Sequence, residues 1–175
     1  DTLREDHLSC YGHRSRTSPN IDELASRGVL FKNAIAQNIP THPSFTSIYT
    51  GVHGLVTGVV GQGPAEDTPG RLSSGIPVFP ELLQRAGYVT AAVDDLSTLE
   101  KPWFGRGYDY YIRPRVGTWL GTGNGVTKLA ASWIRNHSDE RFFLFVHYWD
   151  THAPYFAPEN LRELYYKGVK DDQGN

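Results

Sequence analysis

Val126, Leu129, Ala130, Trp133 and Ile134 recur at i, i+3, i+4, i+7 and i+8, the spacing that lines up apolar side chains on one face of a helix. Phe142 to Val146 follows a different rule: it is apolar without interruption, as a central parallel strand covered by helices on both faces would be. Earlier, Pro80 to Ala86 predicts a helix with Leu82, Leu83 and Ala86 inward and Gly87 at its end, and Tyr88 to Val93 predicts a strand. Ser18-Pro19 supplies a cap and a first-turn proline for a helix with Ile21, Leu24 and Ala25 as its apolar stripe and Gly28 as its stop. Val29 to Phe31 then reads as a short strand, and Ala34 to Ala36 continues extended toward Thr41. There a short helix begins, with Thr41 as a capping side chain, Pro43 in the first turn and Gly51 at the end. Pro158 to Lys167 predicts one more helix. Alternating strands and helices imply an α/β fold, a mostly parallel sheet sandwiched by helices.

Two stretches have no period. Gly58 to Ile76 is rich in Gly, Pro, Ser and acidic residues and reads as a surface loop. Leu96 to Gly125 carries Trp103, Phe104, Tyr108, Tyr110, Tyr111 and Trp119; these either line a pocket or pin a long loop onto the core.

At 175 residues, 39% hydrophobic and 21% charged, the composition fits a globular protein, and no apolar run reaches membrane-spanning length. The net charge of -2 offers no basic field for nucleic acid. A single cysteine, Cys10, excludes an internal disulfide, and with no visible signal peptide it tilts the expectation toward the cytoplasm. The chain opens at Asp1 and contains no methionine, so residues 1–175 are expected to form one domain that is incomplete at both ends.

Ligands of open α/β sheets bind beyond the carboxyl ends of the strands. The positions there are Asp1, Asp6 and His7 at the start, Thr41 where a strand gives way to a helix, Asp94 and Asp95 after Val93, and His147, Asp150 and His152 after Val146. Each has an ordinary structural alternative. Thr41 suits a plain cap, Asp94 and Asp95 a cap or solvated turn, and His147 a satisfied core histidine.

In order along the chain, Asp1-Thr2-Leu3-Arg4, Leu8-Ser9-Cys10-Tyr11-Gly12, Ser18-Pro19-Asn20-Ile21-Asp22-Glu23-Leu24-Ala25 and Phe31-Lys32-Asn33-Ala34 resemble the opening of sulfatases, in the alkaline phosphatase-like superfamily. The resemblance continues through Thr41-x-Pro43-Ser44, Thr50-Gly51, Gly87-Tyr88 and His147-Tyr148-x-Asp150-x-His152-x-Pro154-Tyr155. It implies a metal-dependent hydrolase of sulfate or phosphate esters acting on a small anionic substrate. On that resemblance Asp1 and Thr41 lie at the metal, Thr41 occupies the nucleophile position, His152 donates to a substrate oxygen, and His147 and Asp95 line the substrate site. A cation there would neutralise ester oxygens, while helix N–H groups and a histidine would stabilise developing charge.

The departures narrow the implied chemistry. Threonine at 41 cannot become the formylglycine that sulfatases make from cysteine or serine. Phe45 replaces the arginine that follows in the motif, and Thr2 replaces the second of a pair of aspartates. Asp95 and Ser97 stand where many sulfatases carry a lysine and a histidine. These changes resemble the phosphoryl-transferring branch with a threonine nucleophile, for which Mg²⁺, Mn²⁺ or Zn²⁺ is as fitting as Ca²⁺. An inactive sulfatase-like binding domain and a phosphotransferase are the competing expectations.

Overall fold

The computed structural model describes residues 2–62, 70–98, 101–114, 123–153 and 157–165. The chain divides into two compact units, one of Ile35–Trp149, the other of Thr2–Ala34 together with the segment from Asp150 onward.

The first unit is built on three parallel strands, β1 (Val89–Val93), β2 (Tyr110–Ile112) and β3 (Phe142–Val146), in the order β2-β1-β3. Its helices are α2 (Thr41–Thr50), α3 (Gly54–Thr57), α4 (Phe79–Arg85) and α5 (Gly123–Asn136). The second unit holds α1 (Pro19–Arg27) and α6 (Glu159–Tyr165).

Side chains on a strand alternate between faces, and β3 sorts its neighbours accordingly. Leu144 and Val146 pack with Val93, Val126 and Ala130, and Phe142 meets Trp133 edge-on, so α5 covers one face. Phe143 meets Phe79 of α4, and Phe145 meets Phe45 and Tyr49 of α2, so these helices cover the other. The expected α/β sandwich is therefore present. Of the apolar positions foreseen on α5, Val126, Ala130 and Trp133 are buried, whereas Leu129 and Ile134 border solvent.

Several local expectations are corrected. The uninterrupted apolar run is not a central strand among the described ones: β1 lies in the middle, and β3 pairs with β1 alone. Both positions would give the same run, because helices cover both faces of β3. β2 falls inside the aperiodic aromatic stretch, since three residues are too few to show a period. Trp103 and Phe104 are wholly buried with Tyr49, Val78 and Leu96, so within the described residues that stretch pins itself to the core; Trp119 lies outside them. α4 turns Pro80 inward and leaves Leu82 and Ala86 exposed.

In the second unit α1 starts and stops at Ser18 and Gly28 as expected, but Ile21 and Leu24 are exposed. Val29 to Phe31 forms no strand, and both of those residues are exposed. A strand needs a neighbour for its backbone groups, and none is described beside this segment. Polar bonds hold this unit instead. Ser18 accepts from the Ser9 amide at 2.8 Å and donates to Asp22 at 2.8 Å, while Asp22 accepts from the Cys10 amide at 2.9 Å. At the other end of the chain the Tyr165 hydroxyl donates to the Arg16 carbonyl at 2.8 Å.

Candidate active site

α2 sets the frame. The Ser44 amide donates to the Pro40 carbonyl at 3.2 Å, which makes Pro40 the cap and Thr41 the first helical residue. Thr41 thus opens the helix as expected but does not cap it. Gly51 closes it at φ 68°, the left-handed conformation glycine adopts freely. Thr46 and Tyr49 anchor the helix in the core: Thr46 accepts from the Trp103 indole N–H at 3.0 Å, and the Tyr49 and Tyr108 hydroxyls bond at 2.9 Å. Burial foremost, then the neighbouring Tyr108, pushes the Tyr49 hydroxyl far above the usual phenol range.

Ring contacts fix the direction of α2. Tyr49 lies 5.6 Å from Phe145, while one turn earlier Phe45 lies 6.1 Å from Phe145 and 4.8 Å from His147, just past the end of β3. The helix therefore runs antiparallel to β3, and its first residue points beyond the carboxyl end of the sheet. This is the end at which α/β sheets bind ligands.

The expected cradle of free helix N–H groups is largely filled from within the protein. The His42 amide donates to Gln62 Oε1 at 3.0 Å, Pro43 has no N–H, and the Ser44 amide is engaged by Pro40. The helix dipole remains directed at Thr41. Gln62 could not be foreseen as the partner of His42, because nothing in the aperiodic loop marks it.

The ladders extend one residue past the strands: Asp94 N–H donates to the Ile112 carbonyl at 3.0 Å and His147 N–H to the Val93 carbonyl at 3.0 Å. That register sets Asp94 and His147 side by side, with Asp94 Oδ1 2.8 Å from His147 Nδ1. Asp94 is 0% and His147 4% exposed. The other carboxylate oxygen accepts from the Leu96 amide at 2.9 Å and from the Tyr111 hydroxyl. Burial first, and then the Asp94 charge, drives the Tyr111 hydroxyl well above the normal range. Tyr111 has no separable signal in the sequence, being one aromatic among many.

Of the remaining candidates, Asp95 is half-buried on the turn after Asp94. Asp6 is exposed and paired with Arg4, and His7 is exposed; these read as a solvated charged turn. His152 belongs to the second unit, where its Nδ1 donates to the Ala153 carbonyl at 2.6 Å. Thr2, at φ 57°, donates to the Thr151 carbonyl at 2.5 Å. Asp1, expected at the metal, and Pro154 and Tyr155 of the last motif lie outside the described residues. Among the described residues no group of three or more His, Cys, Asp or Glu is placed to hold a cation. The described donors therefore do not by themselves fit a divalent ion.

The chain belongs to the sulfatase family, whose sequence model matches residues 1–175. It is 31% identical over 113 residues to an N-acetylglucosamine-6-O-sulfatase of Bacteroides thetaiotaomicron, covering 62% of this chain and 19% of that protein. It superposes with a TM-score of 0.68 and 23% identity on a protein solved in complex with its substrate D-glucosamine-2-N,6-O-disulfate, covering 85% of this chain and 32% of that one. A TM-score of 0.67 at 20% identity relates it to the C-terminal periplasmic domain of EcEptC from Escherichia coli in complex with Zn, over 91% of this chain and 44% of that one. These structural likenesses support the alkaline phosphatase-like fold. The chain spans about a fifth of the length of the first curated relatives it matches.

Proposed function

We propose that the chain is the nucleophile-bearing part of a metal-dependent hydrolase of sulfate or phosphate esters, with Thr41 as the attacking residue. The observation that carries this reading is the antiparallel course of α2 over β3, which directs Thr41 past the carboxyl end of the sheet. The family relationship supports a sulfate ester as substrate, and the sulfated sugar bound by one structural relative makes a sulfated carbohydrate the first class to try.

In this reading the Thr41 oxygen attacks sulfur, the ester S–O bond breaks, and the alcohol leaves with the hydroxyl proton. Water then releases sulfate and restores the threonine. On the family resemblance Asp95, on the turn after β1, contacts the substrate. His147, buried against Phe45 of α2, belongs to the substrate site on the family resemblance. Asp1 would contribute a carboxylate to a divalent cation, Ca²⁺, Mg²⁺, Mn²⁺ or Zn²⁺, and the Zn complex of a structural relative makes Zn²⁺ a reasonable first ion to test. When bound, the ion would neutralise ester oxygens.

In the complete protein Thr41→Ala should abolish turnover of an aryl sulfate or aryl phosphate while the thermal unfolding curve stays near that of the parent. Unchanged turnover would refute the assignment. Whichever of the two esters is cleaved faster identifies the natural class, and transfer to an acceptor alcohol would identify a phosphotransferase.

A further inference from the structure

We propose that Asp94 is a positioning residue that holds His147 with its ring hydrogen on Nδ1, so that the Nε2 lone pair accepts a hydrogen bond from a hydroxyl group at the ester site. The kinetic half of this proposal rests on the reading of Thr41 given above; the tautomer half does not.

The tautomer follows from counting donors. Asp94 is wholly buried, and its Oδ2 already accepts from the Leu96 amide and the Tyr111 hydroxyl. Its Oδ1 lies 2.8 Å from His147 Nδ1. A carboxylate has only lone pairs to offer, so the hydrogen of that bond sits on Nδ1, and a neutral imidazole then carries its lone pair on Nε2.

The second observation is Nε2 itself. It is buried and has no hydrogen-bond partner among the described residues, although buried polar atoms are ordinarily paired. Around the ring stand Phe45 at 4.8 Å, Trp149 at 4.5 Å and Phe145 at 6.0 Å between centroids, none of them an acceptor or donor toward Nε2. Phe45 is four residues after Thr41, so the two share one face of α2. His147 thus packs on the helix face that carries the candidate nucleophile, with an unused acceptor among aromatic rings. A hydroxyl group at the ester site is the donor whose chemistry fits.

Asp94→Asn makes the idea testable, because the Leu96 amide and the Tyr111 hydroxyl would claim the amide oxygen. The amide NH₂ would then face His147 Nδ1, which must become the acceptor. The hydrogen moves to Nε2, and the acceptor becomes a donor. Histidine-ring ¹H–¹⁵N correlation spectra of the complete protein at neutral pH should show Nδ1 protonated and Nε2 bare for His147, and the reverse in Asp94→Asn. Turnover of an aryl sulfate by Asp94→Asn should fall about a hundredfold or more in kcat, with KM little changed.

A parent spectrum showing Nε2–H or a doubly protonated ring would overturn the proposal, and it decides the matter even if Asp94→Asn does not fold. Parental kcat in a folded Asp94→Asn with its tautomer reversed would overturn the positioning role while leaving Thr41 untouched. If the parent turns over neither aryl sulfate nor aryl phosphate, the functional reading fails and the spectrum still judges the tautomer.

Discussion

Each of the two units is held together internally, and by different physics. Ile35–Trp149 encloses a core of aromatic and branched side chains around a parallel sheet. In the other unit Ser18 is the one buried residue among those described, and a relay of hydroxyls, amides and the Asp22 carboxylate does the joining. The candidates divide along the same line. Thr41, Asp94, Asp95 and His147 stand on or next to elements of the apolar frame, whereas His152 stands in the polar unit. The two histidines show the contrast most clearly, since His147 is locked by a buried carboxylate and His152 bonds the carbonyl of its neighbour. Groups that must keep one geometry gain from a packed support, and the apolar unit provides it.

The sharpest way to break this contrast is to truncate a large side chain in each unit. Trp103→Ala removes a wholly buried ring and leaves the Thr46 hydroxyl without its donor, so it should destabilise by about 3–5 kcal/mol in denaturant unfolding. Leu24→Ala, at a position 67% exposed, should stay within about 0.5 kcal/mol. Equal losses would refute the division.

A smaller effect is expected from Ser18→Ala. It strands the Ser9 amide, and an unsatisfied buried donor costs about 1–3 kcal/mol. Faster hydrogen exchange at the Ser9 amide is the readout. Smallest is the contribution of Glu81, which accepts from Arg106 at 2.9 Å and from the Val78 amide at 3.1 Å. Burial opposes its ionisation, yet the Arg106 and Val78 bonds outweigh that and hold its pKa below the ordinary carboxylate value. A lowered folded-state pKa stabilises above the unfolded-state pKa and loses that stability as pH falls through the folded value. Thermal unfolding of Glu81→Gln should therefore show a shallower acid limb than the parent, with the gap between the two closing at low pH.

Much of this was legible in the sequence, for reasons that differ by element. α5 announces itself by its helical period, β3 by an unbroken apolar run, and α1 and α2 because proline and glycine mark their ends. What periodicity could not supply was partnership. The place of β3 in the sheet, the strand Tyr110–Ile112 and the exposure of Leu24 and Phe31 all depend on which surfaces meet. The candidate site divides in the same way. Asp94 and His147 are visible as residues after strands, but their pairing is set by parallel register across 53 positions of sequence. Tyr111 and Gln62 gave no warning, since one tyrosine among several aromatics and one glutamine in an aperiodic stretch carry no separable signal.

The central claim, that Thr41 becomes covalently modified in turnover, is tested most directly by acid-quenching the complete protein during steady-state hydrolysis of a slow aryl sulfate and mapping its peptides by mass spectrometry. The expected result is a sulfuryl group on the peptide carrying Thr41, absent when Thr41→Ala is quenched in the same way. A sulfuryl group on another residue, or parental turnover by Thr41→Ala, would contradict it.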